Sequence, residues 1–222
     1  MVYRTLYIIL IWMYSIKEIY YTIQGEGFHT GRPAVFLRFT GCNLWSGLEK
    51  DRTDAVCNFC DTDFVGINGP GGGKFKTANL LAERVFSFWP ENSYAEPYVV
   101  CTGGEPLLQM DQSFIDAFHH IGFKIAIETN GTVIPPKNID WICVSPKIGS
   151  KLILKKGNEL KLVYPQSNGQ PKQFEDLDFD HFSLQPMDGS NIEENTRKTI
   201  AFCHEHPHWR LSLQTHKFLG IP

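Results

Sequence analysis

Three thiols with unequal spacing are the residues most able to do chemistry in this chain. Cys42, Cys57 and Cys60 lie in TGCNLWSGLEKDRTDAVCNFCDTDF, residues 40–64, as C-x14-C-x2-C. Thiolates at such spacing suit a soft metal centre, either zinc or iron–sulfur. A closed zinc site takes four protein ligands, and only one C-x2-C knuckle is present. His29 is the nearest upstream histidine and the other seven lie beyond residue 118. A distant histidine would complete a zinc-stabilised binding module, so that reading stays open. A cubane [4Fe–4S] cluster normally takes four cysteines. Held by three, it keeps one iron open to an external ligand, an arrangement that makes sense when the open iron has a task.

Cys101, Cys143 and Cys203 stand singly in the apolar runs YVVCTGG, WICVSP and IAFCHE, where a thiol behaves as a small buried hydrophobe. Six cysteines in 222 residues are too few for a disulfide scaffold and suit a reducing cytoplasm. The net charge of -3 carries no basic footprint of nucleic-acid binding. The apolar core of the N-terminus, Leu6 to Trp12, is far short of the ~20 residues of a membrane span, and it lacks the basic start and cleavage site of a signal peptide. Residues 1–12 therefore read as an extension of doubtful structural role, with Met13 an alternative start and YSIKEIYYTIQGEG an opening strand.

The elements that must position the thiols are legible as short β-branched runs at 34–41, 97–104, 124–131, 141–147, 159–165 and 181–187. Helical patterns occupy 77–88, 111–121 and 191–205, with Thr77 and Asn191 as the caps of the first and last. Alternating strand and helix predicts a mostly parallel sheet with right-handed crossovers. About six strands and this chain length predict an α/β fold, an incomplete (β/α) barrel built as an open sheet, since a closed eight-unit barrel needs ~250 residues. The polar motifs TGGEP, ETNG, SPK and QPMD each follow an apolar run, at the strand ends where such folds build their sites. GINGPGGGKF, 66–75, lacks the Walker spacing and reads as a flexible linker.

The three cysteines, with Phe59 just before the last, resemble the radical S-adenosylmethionine (SAM) superfamily, whose usual spacing is C-x3-C-x2-C. The C-x14 spacing is similar to a subgroup of one of its families, the 7-carboxy-7-deazaguanine synthases. EIYYTIQGEG (18–27), GRPAVFLRFTGCNL (31–44), CDTDF (60–64), TGGEPLLQ (102–109), SPK and QPMDG match that family in order, over about residues 13–222, read as one core domain.

The resemblance implies a [4Fe–4S] cluster on Cys42, Cys57 and Cys60, with the methionyl end of SAM on the open iron. Reduction then cleaves SAM to methionine and a 5′-deoxyadenosyl radical. It places SAM contacts at Phe59, Cys60, Asp61, Gly104, Ser145, Pro146, Lys147, Gln185, Pro186, Met187 and Asp188. The glycines of TGGEP let backbone approach a ligand closely, although a plain strand-to-helix turn explains them equally well. Thr62 of CDTDF matches the family's protein ligand to a Mg2+ that helps to hold the substrate carboxylate; alone, the flanking aspartates would read as caps or turn residues.

The implied substrate is 6-carboxy-5,6,7,8-tetrahydropterin, rearranged to 7-carboxy-7-deazaguanine with loss of ammonia. Hydrogen abstraction at C6 starts ring contraction, and returning the hydrogen regenerates SAM. Ile23, Gln24 and Gly25 would read the pterin edge, Arg38 would fork onto an acidic oxygen, and Thr102 would lie near the radical. Arg38 otherwise reads as an outward residue on an alternating strand. The family uses the end of its chain at the substrate, which implies Pro222 and, less directly, His216; Glu128 is a candidate for moving a proton. Expected partners are the small pterin, an electron donor such as a flavodoxin or ferredoxin, and a second copy in a homodimer. A glycyl-radical-activating enzyme is the enzymatic alternative. It would act on a protein and keep the short cysteine spacing.

Overall fold

A computed structural model describes residues 14–222. The extension read at residues 1–12 lies outside them. Among the described residues nine strands form one open sheet: β1 (Tyr14–Ile23), β2 (Pro33–Phe39), β3 (Gly73–Phe75), β4 (Tyr98–Gly103), β5 (Lys124–Thr129), β6 (Trp141–Val144), β7 (Lys156–Tyr164), β8 (Asp178–Pro186) and β9 (Trp209–Leu211). Their spatial order is β3-β1-β2-β4-β5-β6-β7-β8-β9. From β2 to β9 every pairing is parallel; β1 runs antiparallel to both its neighbours.

The expected open, mostly parallel sheet is present, but it has nine strands where about six were expected. Besides the predicted opening strand β1, two three-residue strands were missed, because three residues carry no readable alternation. One of them, β3, lies in the glycine-rich stretch read as a flexible linker. That stretch is built structure. Gly69 N–H donates to Lys17 O at 3.0 Å and Ile19 N–H to Pro70 O at 2.7 Å. A Cβ on Gly69 would press on Lys17 O at 2.7 Å, so here glycine serves close backbone approach to β1.

Helices α1 (Ala78–Phe86), α2 (Gln112–His120), α3 (Ile192–Glu205) and α4 (Thr215–Leu219) cross between or follow the strands. Thr77 caps α1, its hydroxyl accepting from Leu80 N–H. Asn191 does not cap α3 through its side chain; the first turn is tied down instead by Asn195, whose amide donates to Met187 O at 2.8 Å. No helix among the described residues is long and apolar enough to cross a membrane.

The two-residue period of the strands separates core from cavity. Leu37 and Phe39 of β2, Ile127 of β5, Leu160 and Leu162 of β7 and Leu184 of β8 are buried in the apolar core. Their neighbours Phe36, Arg38, Glu128, Lys161, Val163 and Gln185 line a cavity. At Lys17 a β-bulge breaks the register, since Ile16 faces Phe39 and Glu18 faces Arg38. The extra residue lets Lys17, Glu18 and Tyr20 all line that cavity.

Candidate active site

The cavity, of about 390 Å³, opens at the carboxyl ends of the parallel strands. Its upper rim carries the cysteines. Cys42 lies three residues past the end of β2, and its sulfur accepts from Leu44 N–H at 3.4 Å. Leu44 O accepts from Cys57 N–H at 3.3 Å, which closes the long loop and brings the C-x2-C turn back beside Cys42. The neighbouring Cys57 thiol draws the Cys60 thiol below its ordinary range, against the opposing effect of burial. Cys42 is pushed up, chiefly by burial.

Among the described residues, no group of three or more His, Cys, Asp or Glu side chains closes on a single ion. Cys42, Cys57 and Cys60 line the cavity together, three thiol donors that suit three corners of a cubane and leave the fourth iron open.

Gly103 and Gly104 explain how Cys42 comes so close to the end of β4. A Cβ on Gly104 would strike Gly41 O and meet the Cys42 Cβ at 3.0 Å, and one on Gly103 would strike the Phe39 backbone. Gly104 N–H donates to Phe39 O at 3.3 Å and Glu105 N–H to Gly41 O at 2.9 Å. The close approach that TGGEP permits is therefore to the chain's own cysteine-bearing backbone. The next residue, Glu105, is fully buried. Its carboxylate accepts from Leu107 N–H at 3.0 Å, the Thr129 hydroxyl at 2.7 Å and Asn130 N–H at 2.8 Å. Asn130 in turn donates to the Asn43 side chain at 2.9 Å. TGGEP, ETNG and the residue after Cys42 are thus one hydrogen-bonded corner.

The floor is ionic. Lys161, 5% exposed, donates to Glu26 at 2.7 Å and reaches Glu128 at 2.9 Å. Burial works to raise both carboxyls; Lys161 and Gln214 outweigh it at Glu26, which is lowered, while Glu128 stays raised. Gln24 donates to Glu128 at 3.3 Å. Gln214 bridges Glu26, at 2.9 Å, to Asp61, at 3.0 Å. Lys217 then joins Asp61, at 2.7 Å, to Asp188, at 2.5 Å. Burial opposes the charge on Asp61, but Lys217 and Gln214 hold its carboxyl low. In the same cavity Arg38 donates through Nε to Glu18 at 2.7 Å and through Nη2 to the Tyr20 hydroxyl at 2.9 Å.

All the residues singled out in the sequence line this one cavity except Pro146. Pro146 is buried away from it, and its carbonyl accepts from the Gln166 amide at 3.2 Å; Ser145 and Lys147 on either side do reach the cavity, linked by Lys147 Nζ donating to the Ser145 hydroxyl at 2.7 Å. Arg38 is not an outward strand residue: its side chain is 17% exposed and faces inward. Gly25 seats against His216, where a Cβ would strike Nδ1, and its carbonyl accepts from Thr215 N–H at 2.9 Å. The sequence reading missed Lys161, Glu26, Gln214, Lys217 and the structural acid Glu105. A lysine inside the apolar run ELKLVY was the available signal for the first.

The chain is 57% identical over 209 residues to the 7-carboxy-7-deazaguanine synthase of Burkholderia multivorans, covering 94% of this chain and 99% of that one. It is 58% identical over 208 residues to the enzyme of that name from Bradyrhizobium diazoefficiens, with the same coverage. The chain belongs to the 7-carboxy-7-deazaguanine synthase family. Among solved structures it is similar to QueE from Escherichia coli, at 28% identity and a TM-score of 0.66, over 92% of this chain and 95% of that one. No family model matches it. As a member of the 7-carboxy-7-deazaguanine synthases it is a radical SAM lyase of queuosine biosynthesis, a type that works with a [4Fe–4S] cluster and SAM. The zinc-module and glycyl-radical-activating alternatives fall with that assignment.

Proposed function

We propose that this chain converts 6-carboxy-5,6,7,8-tetrahydropterin to 7-carboxy-7-deazaguanine with loss of ammonia, using the cavity that joins the cysteine rim to the Lys161 floor. The observation that carries this reading is the shared cavity itself: three thiols, a buried acid–amide floor and Arg38 line it together. Cys42, Cys57 and Cys60 would hold the cluster, which with bound SAM supplies the hydrogen-abstracting radical. Phe59, Cys60, Asp61, Gly104, Ser145, Lys147, Gln185, Pro186, Met187 and Asp188 form the wall for SAM on the rim side.

Gln24 and the neighbouring backbone of Ile23 and Gly25 bind the polar edge of a flat heterocycle on the floor side, with Thr102, His216 and Pro222 closing around it. Among the described residues Arg38 Nη1 makes no hydrogen bond, which leaves it for a substrate carboxylate while Glu18 and Tyr20 fix the fork. Thr62 offers a hard oxygen to the same cavity and is the protein ligand we assign to Mg2+, which shares its remaining positions with water and substrate oxygens. Glu128 is raised by burial beside a fixed ammonium and so is suited to hold and release a proton at its carboxyl as ammonia leaves. Residues 13–222 act as one core domain. The active form is a cytoplasmic homodimer that draws electrons from a small donor such as a flavodoxin or ferredoxin.

The test is mass spectrometry of an anaerobic reaction with cluster-reconstituted protein, reductant, SAM, Mg2+ and the pterin. The expected product is lighter than the pterin by one ammonia and absent with Cys42→Ala. Accumulation of 5′-deoxyadenosine with the pterin untouched would overturn the substrate while leaving the radical chemistry in place.

A further inference from the structure

The segment between Cys42 and Cys57 is a built bracket, and one side chain ties it to the C-x2-C turn. A loop this long would be slack without internal order. It contains a turn of 3-10 helix at Glu49–Asp51. Ser46 donates to Asp51 at 2.6 Å. Trp45 is 6% exposed, meets Phe64 edge-on at 5.6 Å and donates from its indole to Leu48 O at 3.2 Å. Gly47, at φ +82°, passes where a Cβ would strike Val65 and Phe64.

Arg52 uses every face of its guanidinium within this bracket. Nε and Nη2 fork onto Glu49 at 2.7 and 2.6 Å. Nη1 donates to Asn58 O and to Cys60 O, both at 3.0 Å. The plane lies over the Trp45 ring, 4.0 Å from its centroid. A planar donor fork of fixed geometry can satisfy a carboxylate on one edge and two carbonyls on another, which an ammonium cannot. The two carbonyls belong to the turn that carries Cys57 and Cys60, so the guanidinium sets where that turn sits relative to Cys42. It also holds a positive charge behind two of the thiols.

We infer that Arg52 is a positioning residue for the iron–sulfur cluster, holding the Cys57–Cys60 turn in its ligating arrangement through the two backbone carbonyls. The inference rests on the cluster assignment proposed above. Groups behind metal ligands orient them, and their loss costs about 10–100-fold in metal affinity. A positive charge beside the cluster also favours its reduced, more negative state, so the residue bears on the potential as well.

The experiment compares reconstituted wild type with Arg52→Ala and Arg52→Lys. It follows iron release into a ferrous chelator, the midpoint potential of the cluster, and the thermal midpoint of the metal-free proteins. Arg52→Ala is expected to release iron about tenfold faster or more and to shift the potential negative. Arg52→Lys is expected to release iron nearly as fast, having lost the fork, but to keep the wild-type potential, having kept the charge. The thermal midpoints of the metal-free proteins should agree. Equal iron release from all three would overturn the inference. So would a fall in metal-free stability with unchanged release, which is what a merely structural role would produce. Wild-type protein that takes up no iron and sulfide would overturn the cluster assignment instead, a distinct failure.

Discussion

At the scale of single residues, the floor of the cavity turns on one buried ammonium. Glu26 and Glu128 are each 19% exposed and both lean on Lys161. Removing one partner of a buried ion pair leaves uncompensated charge and costs about 3–5 kcal/mol; with cavity water sharing the load, Lys161→Met should cost about 3 kcal/mol near neutral pH. The pH dependence follows from signs. In the native chain Glu26 is lowered, so its contribution is present above the unfolded value of about 4.3 and lost as pH falls through its folded value. Glu128 is raised, so it penalises folding as pH rises from that value through its own; the two slopes oppose each other. Without Lys161 both carboxyls are raised, and both penalties vanish on acidification. Urea unfolding of Lys161→Met should therefore show stability rising from about pH 7 to about pH 5 while wild type changes little. A triple variant that also carries Glu26→Gln and Glu128→Gln should recover most of the loss. A deficit of equal size at both pH values would remove the two carboxylates from the account.

At the scale of elements, the site depends on how closely the end of β4 passes the end of β2. Gly104→Ala places a methyl against Gly41 O and the Cys42 Cβ, and overpacking of this kind costs about 1–3 kcal/mol. The shift must be taken up at Cys42 or in the Glu105–Asn130–Asn43 corner, so the variant should lose iron uptake more than it loses stability. Iron per chain after reconstitution, set beside a urea midpoint, separates the two; full iron content would mean that the corner is softer than its hydrogen bonds imply. The same contact shows what the sequence could and could not say. The period-two strands and the strand-end polar motifs were legible, because alternation and turn chemistry are local. That the glycines of TGGEP pack against the backbone of Phe39 and Gly41 was not, since a close approach between residues 41 and 104 leaves no local trace. Lys161 was passed over because it sits in an apolar run, and only the sheet reveals that its parity is that of Arg38 and Glu128. The bulge at Lys17 shifts that parity within β1 and was equally invisible. Pro146 was carried along by its neighbours Ser145 and Lys147, although alternation turns it the other way.

At the scale of the whole molecule, the last residues of the chain tie the β9 edge of the open sheet back to β1 and the loop after it. Ser212 follows β9, and its N–H donates to Leu184 O of β8 at 2.9 Å. Its hydroxyl accepts from Gly27 N–H at 2.8 Å. Beyond it Thr215 donates twice to Gly25 O, at 2.9 Å from its N–H and 2.8 Å from its hydroxyl, and Thr22 donates to Pro222 O at 3.0 Å. These bonds join the β9 side of the sheet to the loop after β1, strands that are otherwise seven places apart in the sheet order. Helix α4 itself buries no residue, and Phe218 and Leu219 are 78% and 65% exposed, so its contribution to folding is small. A chain stopped after Gln214 keeps Ser212 and the Gln214 bridge to Glu26 but loses the tie to Gly25, His216 and Lys217. Its unfolding free energy should fall by only about 1 kcal/mol, the scale of a few partly exposed hydrogen bonds. Pterin binding should suffer far more, because the IQG segment is then free to move away from Arg38 and Glu128. The expected result is a KM for the pterin raised about tenfold or more, the scale set by 1.4 kcal/mol of lost positioning, with a smaller loss of 5′-deoxyadenosine formation in the absence of pterin, because Lys217 also holds Asp61 and Asp188 on the SAM side. A truncated chain with an unaltered KM would place the closure of the cavity in the Ser212–Gly27 contact alone. One that unfolds outright would make α4 part of the fold instead of its clasp.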